Sequence, residues 1–458
     1  MTLKTELLPH QAAAVDKLRG LTIGALYMEM GTGKTRTALE LIKLRLDAGK
    51  VDCCLWLCPC SVKKNLREDV LYHCGSFPDN LVIRGIESLS SSDRLYLQLL
   101  RLVETHKVYL IVDESSLVKN HRAIRTNRIV ALSAVCKYKL ILNGTPISKN
   151  EADLFAQWNV LDWRVLGYQS YYSFAANHLE YWTVRLPDGR ERVDRTRVRR
   201  VLNTDYLAAK IEPYTVQVKK EECIKLPAKT YSEHFFSMTS EQEAAYAEAK
   251  DLYLANVDEF RNDTIYRLFT ALQHVSSGRR VISTPSERMQ TAPIFNAPED
   301  NPRIQALLGE IRSLDGEKAI VFCKYQSEVD DIEQVLLHVG VSCVTFTGKL
   351  PQKKRQENRE RFRESAQVFL ANKTCGAYGL NLQFCHNIIF YSNDFDLATR
   401  LQSEDRVHRL GQRHDVRIID IYTDGMDKFI LSCLRRKETL LDAFKRDIEK
   451  IKKGGGSL

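Results

Sequence analysis

The stretch Glu29-Met30-Gly31-Thr32-Gly33-Lys34-Thr35 decides the reading of this 458-residue chain. An apolar run from Ile23 to Met28 precedes it, and a helical pattern carrying Ala38, Leu39, Leu41 and Ile42 follows. Strand, glycine-rich turn and helix N-terminus in that order make a phosphate cradle, because backbone N–H groups and the positive helix end face the anion. Gly31 and Gly33 let the backbone approach closely, with Thr32 between them. Lys34 is placed to reach the β- and γ-phosphates, and the Thr35 hydroxyl to ligate Mg²⁺. Met28 stands where G-x-x-x-x-G-K-T has its first glycine, so the pattern is incomplete at that end.

Working outward, the length suits about three domains, or two large ones with insertions. An apolar fraction of 44% allows sizeable cores, and a net charge of +9 is compatible with a polyanionic partner without requiring one. The 12 cysteines are scattered, with Cys53, Cys54, Cys58 and Cys323 in apolar runs, so neither a zinc site nor a disulfide framework is expected. A reducing, cytoplasmic setting fits that usage. No signal peptide is visible and no apolar run reaches the ~18 residues of a membrane span. The phosphate loop starts so early that no N-terminal accessory domain is expected, and Gly454-Gly455-Gly456-Ser457 reads as a flexible end.

Ahead of the loop, Gln11 offers an acceptor and a donor together, which suits reading the edges of adenine. Behind it, Val51 to Cys58 is a nearly continuous apolar run, the mark of a buried parallel strand. Lys63 then opens a helix where a nucleic-acid phosphate could be held. Val108 to Val112 is a second such strand and ends in Asp113-Glu114, carboxylates at the edge where open α/β sheets bind ligands. Asp113 would hold Mg²⁺ through water, and Glu114 would orient and deprotonate the attacking water. Tyr138 to Leu142 is a third strand, followed by Asn143-Gly144-Thr145-Pro146-Ile147. Strands alternating with helices over residues 20–150 predict an α/β fold with a doubly wound parallel sheet.

From Glu151 to about Lys225 that rhythm stops. Leu186-Pro187-Asp188-Gly189 between alternating arms is a hairpin signal. Arg185 to Arg200 holds seven arginines against three acidic residues, a cluster able to straddle a phosphate backbone through Arg197 and Arg199, or else a solvated hairpin and helix. Helices are expected over Glu241–Tyr253 and Thr264–Val275, and a loop or linker from Pro285 to Pro302. Lys318–Cys323, Val344–Thr347, Gln367–Leu370 and Asn387–Tyr391 read as strands, with helices at 328–338 and 352–364 between them. They repeat the architecture of the first half.

These residues together resemble the SWI/SNF-type family of superfamily 2 helicase-like ATPases. The resemblance is carried by Leu7–Gln11, Met30–Thr35, Cys58–Asn65, Asp113–Asn120 and Leu142–Asn150, which are similar to the Q motif and motifs I, Ia, II and III. In the second half Asn372–Leu382 resembles motif V. Gln402-Ser403-Glu404-Asp405-Arg406-Val407-His408-Arg409-Leu410-Gly411-Gln412 follows Q-x-x-D-R-x-H-R-x-G-Q of motif VI at every fixed position. Departures are Ser115-Ser116 after the acidic pair, where Ser116 would couple hydrolysis to movement differently, and Lys373 and Ala377 in motif V.

The resemblance implies two RecA-like lobes with helical insertions, at 1–225 and 226–458, and ATP and Mg²⁺ as cofactors. It implies catalytic roles for Lys34, Asp113, Glu114, Gln402, Arg406 and Arg409, a nucleotide contact at Gly379, and nucleic-acid contacts at Lys63 and Lys373. Arg406 and Arg409, at i and i+3, are expected on one helical face aimed at the γ-phosphate. The implied function is a double-stranded-DNA translocase, monomeric, with a partner protein supplying targeting. A strand-separating or annealing helicase and an ATP-gated clamp with little turnover are the competing readings. Met426 onward reads as a charged helical tail.

Overall fold

Residues that are apolar on consecutive positions can be strands only where both faces of the sheet are covered, and that is where the chain puts them. The computed structural model describes residues 1–436 except 145–150, 186–189, 224–225, 259–261, 373–379 and 410. The chain divides into two compact units, Met1–Lys225 and Leu226–Leu458.

In the first unit a six-stranded sheet runs in the order Leu81–Gly85, Cys53–Cys58, Val108–Val112, Tyr138–Asn143, Ile23–Met28, Thr215–Val218. Every neighbouring pair is parallel. Side chains alternate between two covers. Leu26, Met28, Cys54, Trp56, Tyr109 and Ile111 pack with the helices Pro9–Leu18, Lys34–Asp47 and Lys63–Cys74. Ala25, Tyr27, Leu55, Leu57, Leu110 and Val112 pack on the other face with Asp93–Thr105, Ile124–Val135 and Ala152–Leu166. The unit is doubly wound, as predicted. Thr215–Val218 was not anticipated: it returns from the insertion to lie parallel to Ile23–Met28 at the sheet edge.

The second unit repeats the plan with Cys343–Phe346, Val368–Asn372, Ala319–Cys323, Asn387–Phe390, Val416–Tyr422 and Lys229–Phe235, again all parallel. Helices Ser240–Ala255 and Asn262–Ser276 form a separate cluster with Met426–Arg436. The tail read from Met426 begins as a helix, Met426–Arg436, and one face of it is not exposed: Met426, Phe429, Ile430 and Cys433 are buried in that cluster, because apolar residues there fall on one helical face. Residues 437–458 lie outside the described part. The loop expected from Pro285 to Pro302 includes a short strand, Thr291–Pro293, paired antiparallel with Arg279–Val281. An antiparallel ribbon of Leu179–Arg185 and Glu191–Val201 stands where the hairpin was read; its second strand reaches Val201, so Arg197 and Arg199 lie on the ribbon. Among the described residues no helix is long and apolar enough to cross a membrane, and the described cysteines are free thiols.

Candidate nucleotide site and nucleic-acid contacts

The phosphate loop leaves the carboxyl end of Ile23–Met28, and the helix Lys34–Asp47 starts directly after it. Gly31 and Gly33 sit at φ 82° and 88°, a region that side chains with a Cβ rarely adopt. At Gly33 a Cβ would also collide with the Gln11 amide. The turn is closed from within: Thr32 Oγ1 donates to Glu29 O at 2.7 Å. It is braced from the preceding helix too, since His10 Nε2 lies 2.8 Å and Gln11 Nε2 3.2 Å from Thr32 O. Gln11 Oε1 accepts from Leu8 N at 3.1 Å, so the buried amide holds the loop in place with one donor and its oxygen. Its second N–H remains available in the geometry of an amide.

Glu29 ties the loop to the edge strand. Its backbone N–H donates to Val218 O at 3.0 Å, and its Oε2 accepts from Lys220 N at 2.9 Å. Neither His10 nor Glu29 was selected from the sequence, and nothing local marks them, because their partners lie 22 and 191 residues away. Lys34 Nζ donates to Met28 O at 2.7 Å, and Gly144 lies against the same two residues. The first N–H groups of the helix have no intrahelical acceptor and face the loop, which is the arrangement a phosphate requires.

Val108–Val112 delivers Asp113 and Glu114 to the same sheet edge. Burial, then the Glu114 charge, push the Asp113 carboxyl up to about 7, against the opposing influence of the Lys34 ammonium and of the hydrogen bond from the Glu114 N–H. Lys34 and Asp113 are thus brought together. A half-buried carboxylate beside a second one is stabilised by a cation, so these residues fit Mg²⁺. No cluster of three or more His, Cys, Asp or Glu that could hold a metal occurs among the described residues. A Mg²⁺ held here by Thr35 and Asp113 would therefore take its other ligands from phosphate oxygens and water. Glu114 adopts φ 48°, an uncommon conformation for a residue with a Cβ.

The residue after Glu114 explains how that turn is held. Ser115 is fully buried; its Oγ donates to Gln157 Oε1 at 2.5 Å and accepts from Asn143 Nδ2 at 3.3 Å. Gln157 Nε2 continues to Asp153 O at 2.8 Å. One hydroxyl therefore links the acidic turn to the end of Tyr138–Asn143 and to the helix Ala152–Leu166. The sequence reading singled out Ser116; the linkage runs through Ser115.

In the second unit the helical-face argument for Arg406 and Arg409 fails. The helix Leu397–Glu404 ends before them, and the chain continues in tight turns, with Arg406 N donating to Ser403 O and Arg409 N to Val407 O. Arg406 is buried and Arg409 half-buried. Gln402 sits half-buried in the last helical turn. Neighbouring residues hold the turns: His408 Nε2 lies 2.8 Å from Pro227 O, and Gln412 Nε2 donates to Cys385 O at 2.9 Å. Arg400 binds Asp420 through both terminal nitrogens, at 2.5 and 2.8 Å, and Glu404 through Nε at 2.8 Å. Burial pushes the Glu404 carboxyl up, but Lys229 and Arg400 outweigh it and hold the group below its ordinary value.

Of the predicted nucleic-acid residues, Lys63 is the first residue of Lys63–Cys74 and half-buried. Arg199 is exposed on the ribbon, paired with Glu180 at 2.9 Å and 5.5 Å from the Trp182 ring. Arg197 belongs to the strand Glu191–Val201. Lys373, Ala377 and Gly379 lie outside the described residues, as do Thr145–Asn150 of the third motif.

A doubly wound parallel sheet with a glycine phosphate loop and an acidic pair at one edge defines a nucleotide-binding α/β unit, here followed by a second unit of the same plan. The profile of the SNF2-related domain matches residues 78–287, and that of the helicase conserved C-terminal domain matches 302–411. The chain thus carries an SNF2-related domain followed by a helicase conserved C-terminal domain. The first profile begins beyond the phosphate loop, so that site rests on its own geometry. Human TATA-binding protein-associated factor 172 is 26% identical over 366 residues, covering 69% of this chain and 19% of the relative. ATP-dependent helicase YqhH of Bacillus subtilis (strain 168) is 25% identical over 479 residues, covering 97% and 80%. The chain spans about a fifth of the length of the first curated relatives it matches. A solved structure, the SWI2/SNF2 ATPase core of Sulfolobus solfataricus in complex with dsDNA, aligns with a TM-score of 0.41 at 20% identity, covering 99% of this chain and 94% of that one.

Proposed function

We propose that this chain is an ATP-dependent translocase on double-stranded DNA, using ATP and Mg²⁺. The observation that carries the reading is the meeting of Lys34 with the half-buried Asp113 at one sheet edge, beside the helix N-terminus at Gly33. In this proposal the loop N–H groups and Lys34 hold the β- and γ-phosphates, Gln11 contacts the base, and Thr35 and Asp113 hold the cation that neutralises phosphate charge. Glu114 accepts a proton from the attacking water. Arg406 and Arg409 stabilise charge on the transferring phosphoryl group, a role typically worth ~10³–10⁵ in rate. Residues 1–225 and 226–458 act as the two lobes whose relative movement follows hydrolysis, and Lys63 and Lys373 hold DNA phosphates. Phosphate contacts carry no base information, so movement should be indifferent to sequence. A cytoplasmic monomer, guided by a protein partner, is part of the same proposal.

The test is displacement of a third strand from a triplex-bearing duplex. ATP-dependent displacement by the wild type, absent in Lys34→Ala, supports translocation. Release of one strand of an ordinary duplex at a comparable rate would favour strand separation instead.

A further inference from the structure

The ribbon of Leu179–Arg185 and Glu191–Val201 belongs to no motif that the ATPase reading uses. We propose that it is a second duplex-DNA contact, gripping phosphates through arginines that its register breaks display; this rests on the duplex translocase reading above.

The base of the ribbon is fixed. Leu179 is buried in the core of the first unit, and Tyr181, Val198 and Val201 pack partly buried against it. Further out, Trp182 and Val193 are 46% and 51% exposed, so this part is surrounded by solvent. The ladder between them is irregular. Glu180 pairs with Arg200 and Tyr181 with Val198, which skips Arg199; Trp182 then pairs with Asp194, which skips Arg195, Thr196 and Arg197. Three of the four skipped residues are arginines. Bulged residues have no ladder partner, and they sharpen twist and re-aim side chains. Arg190, Arg192, Arg195, Arg199 and Arg200 are exposed.

A ribbon that merely covered the protein would be served by mixed charge. This one concentrates guanidinium groups, whose planar forks match phosphate oxygens. The acidic partner of Arg199 is replaceable: Glu180 meets it at 2.9 Å, but both are exposed, and such pairs are worth only about 0–1 kcal/mol. Trp182 lies 5.5 Å from the same guanidinium and limits its orientations. A two-stranded ribbon also has the width that the ~12 Å major groove of B-DNA admits. Groove width and the concentration of guanidinium forks together favour duplex over a folded acidic protein.

The test uses the full chain carrying Arg192→Gln, Arg195→Gln, Arg199→Gln and Arg200→Gln together, and a second variant with Lys at the same positions. Duplex binding is followed by fluorescence anisotropy from 50 to 200 mM salt. The glutamine variant is expected to bind more weakly on every sequence, with the slope of log affinity against log salt reduced by about 0.9 for each phosphate no longer neutralised. The lysine variant should regain most of that slope, which a folding defect would not allow. Wild-type affinity and slope in a folded glutamine variant would overturn the ribbon proposal and leave the translocase reading standing. Failure of the wild type to bind any duplex would overturn both.

Discussion

Ser115→Ala is the substitution that separates the acidic pair from its support. The hydroxyl is fully buried and makes one short bond to Gln157 and one long one to Asn143. Alanine keeps the Cβ but lacks the Oγ, so Gln157 Oε1 is deprived of that hydrogen bond in a site closed to water. Removing a buried hydrogen bond in this way costs about 1–3 kcal/mol. For a unit of this size each 1 kcal/mol lowers the melting temperature by roughly 2–4 °C. The same bond fixes the turn in which Glu114 holds φ 48°. Its removal should lower kcat for ATP hydrolysis on the order of tenfold, equivalent to ~1.4 kcal/mol, with KM for ATP nearly unchanged, because phosphate and base contacts lie elsewhere. A double-mutant cycle with Gln157→Leu, read by urea unfolding and by kcat, isolates the pair. Coupling of about 0.5–3 kcal/mol is expected for residues in direct contact. Additive effects and an unchanged kcat would refute the linkage.

Three further outcomes follow from other parts of the chain. Gly33→Ala forces a Cβ into a left-handed residue and onto the Gln11 amide; nucleotide binding, measured with a fluorescent ATP analogue, should weaken at least tenfold while Gly20→Ala, in open space, leaves it intact. Arg400→Met strands the buried Asp420 carboxylate and removes one cationic partner of Glu404, and should destabilise the second unit by about 3–5 kcal/mol in chemical denaturation. His274 stacks on Tyr325 at 3.9 Å, and burial lowers its imidazole to about 4. A base whose folded value lies below its unfolded value binds fewer protons when folded, so stability is lost as pH falls from about 6.5 to 4, by at most ~1.4 kcal/mol per pH unit. His274→Phe, melted across that range, should lose this component of the pH dependence; an unchanged slope would contradict it.

What the sequence disclosed depended on burial. Val51–Cys58 and Val108–Val112 lie under helices on both faces, so they read as unbroken apolar runs and were placed within a residue or two. Lys229–Phe235 is an edge strand with a largely exposed face, and its Lys, Ser, Glu and His hide it. Val416–Tyr422 carries Arg417 and Asp420, whose charges are met by Glu317 and Arg400 from elsewhere in the chain; pairing of that kind leaves no local trace. Thr215–Val218 is short and follows a long insertion. At the nucleotide site, Lys34, Asp113 and Glu114 announced themselves because strand ends are where such chemistry is expected. The residues that hold them, His10, Glu29 and Gln157, act through partners far away in sequence. The helical spacing of Arg406 and Arg409 misled, because the helix Leu397–Glu404 gives way to turns before reaching either.

The measurement that bears most directly on the account is steady-state ATP hydrolysis with no nucleic acid, single-stranded DNA, double-stranded DNA and RNA, beside Lys34→Ala. The account predicts strong stimulation by duplex DNA and none in the variant. Absence of hydrolysis in every condition, or equal turnover by Lys34→Ala, would contradict it.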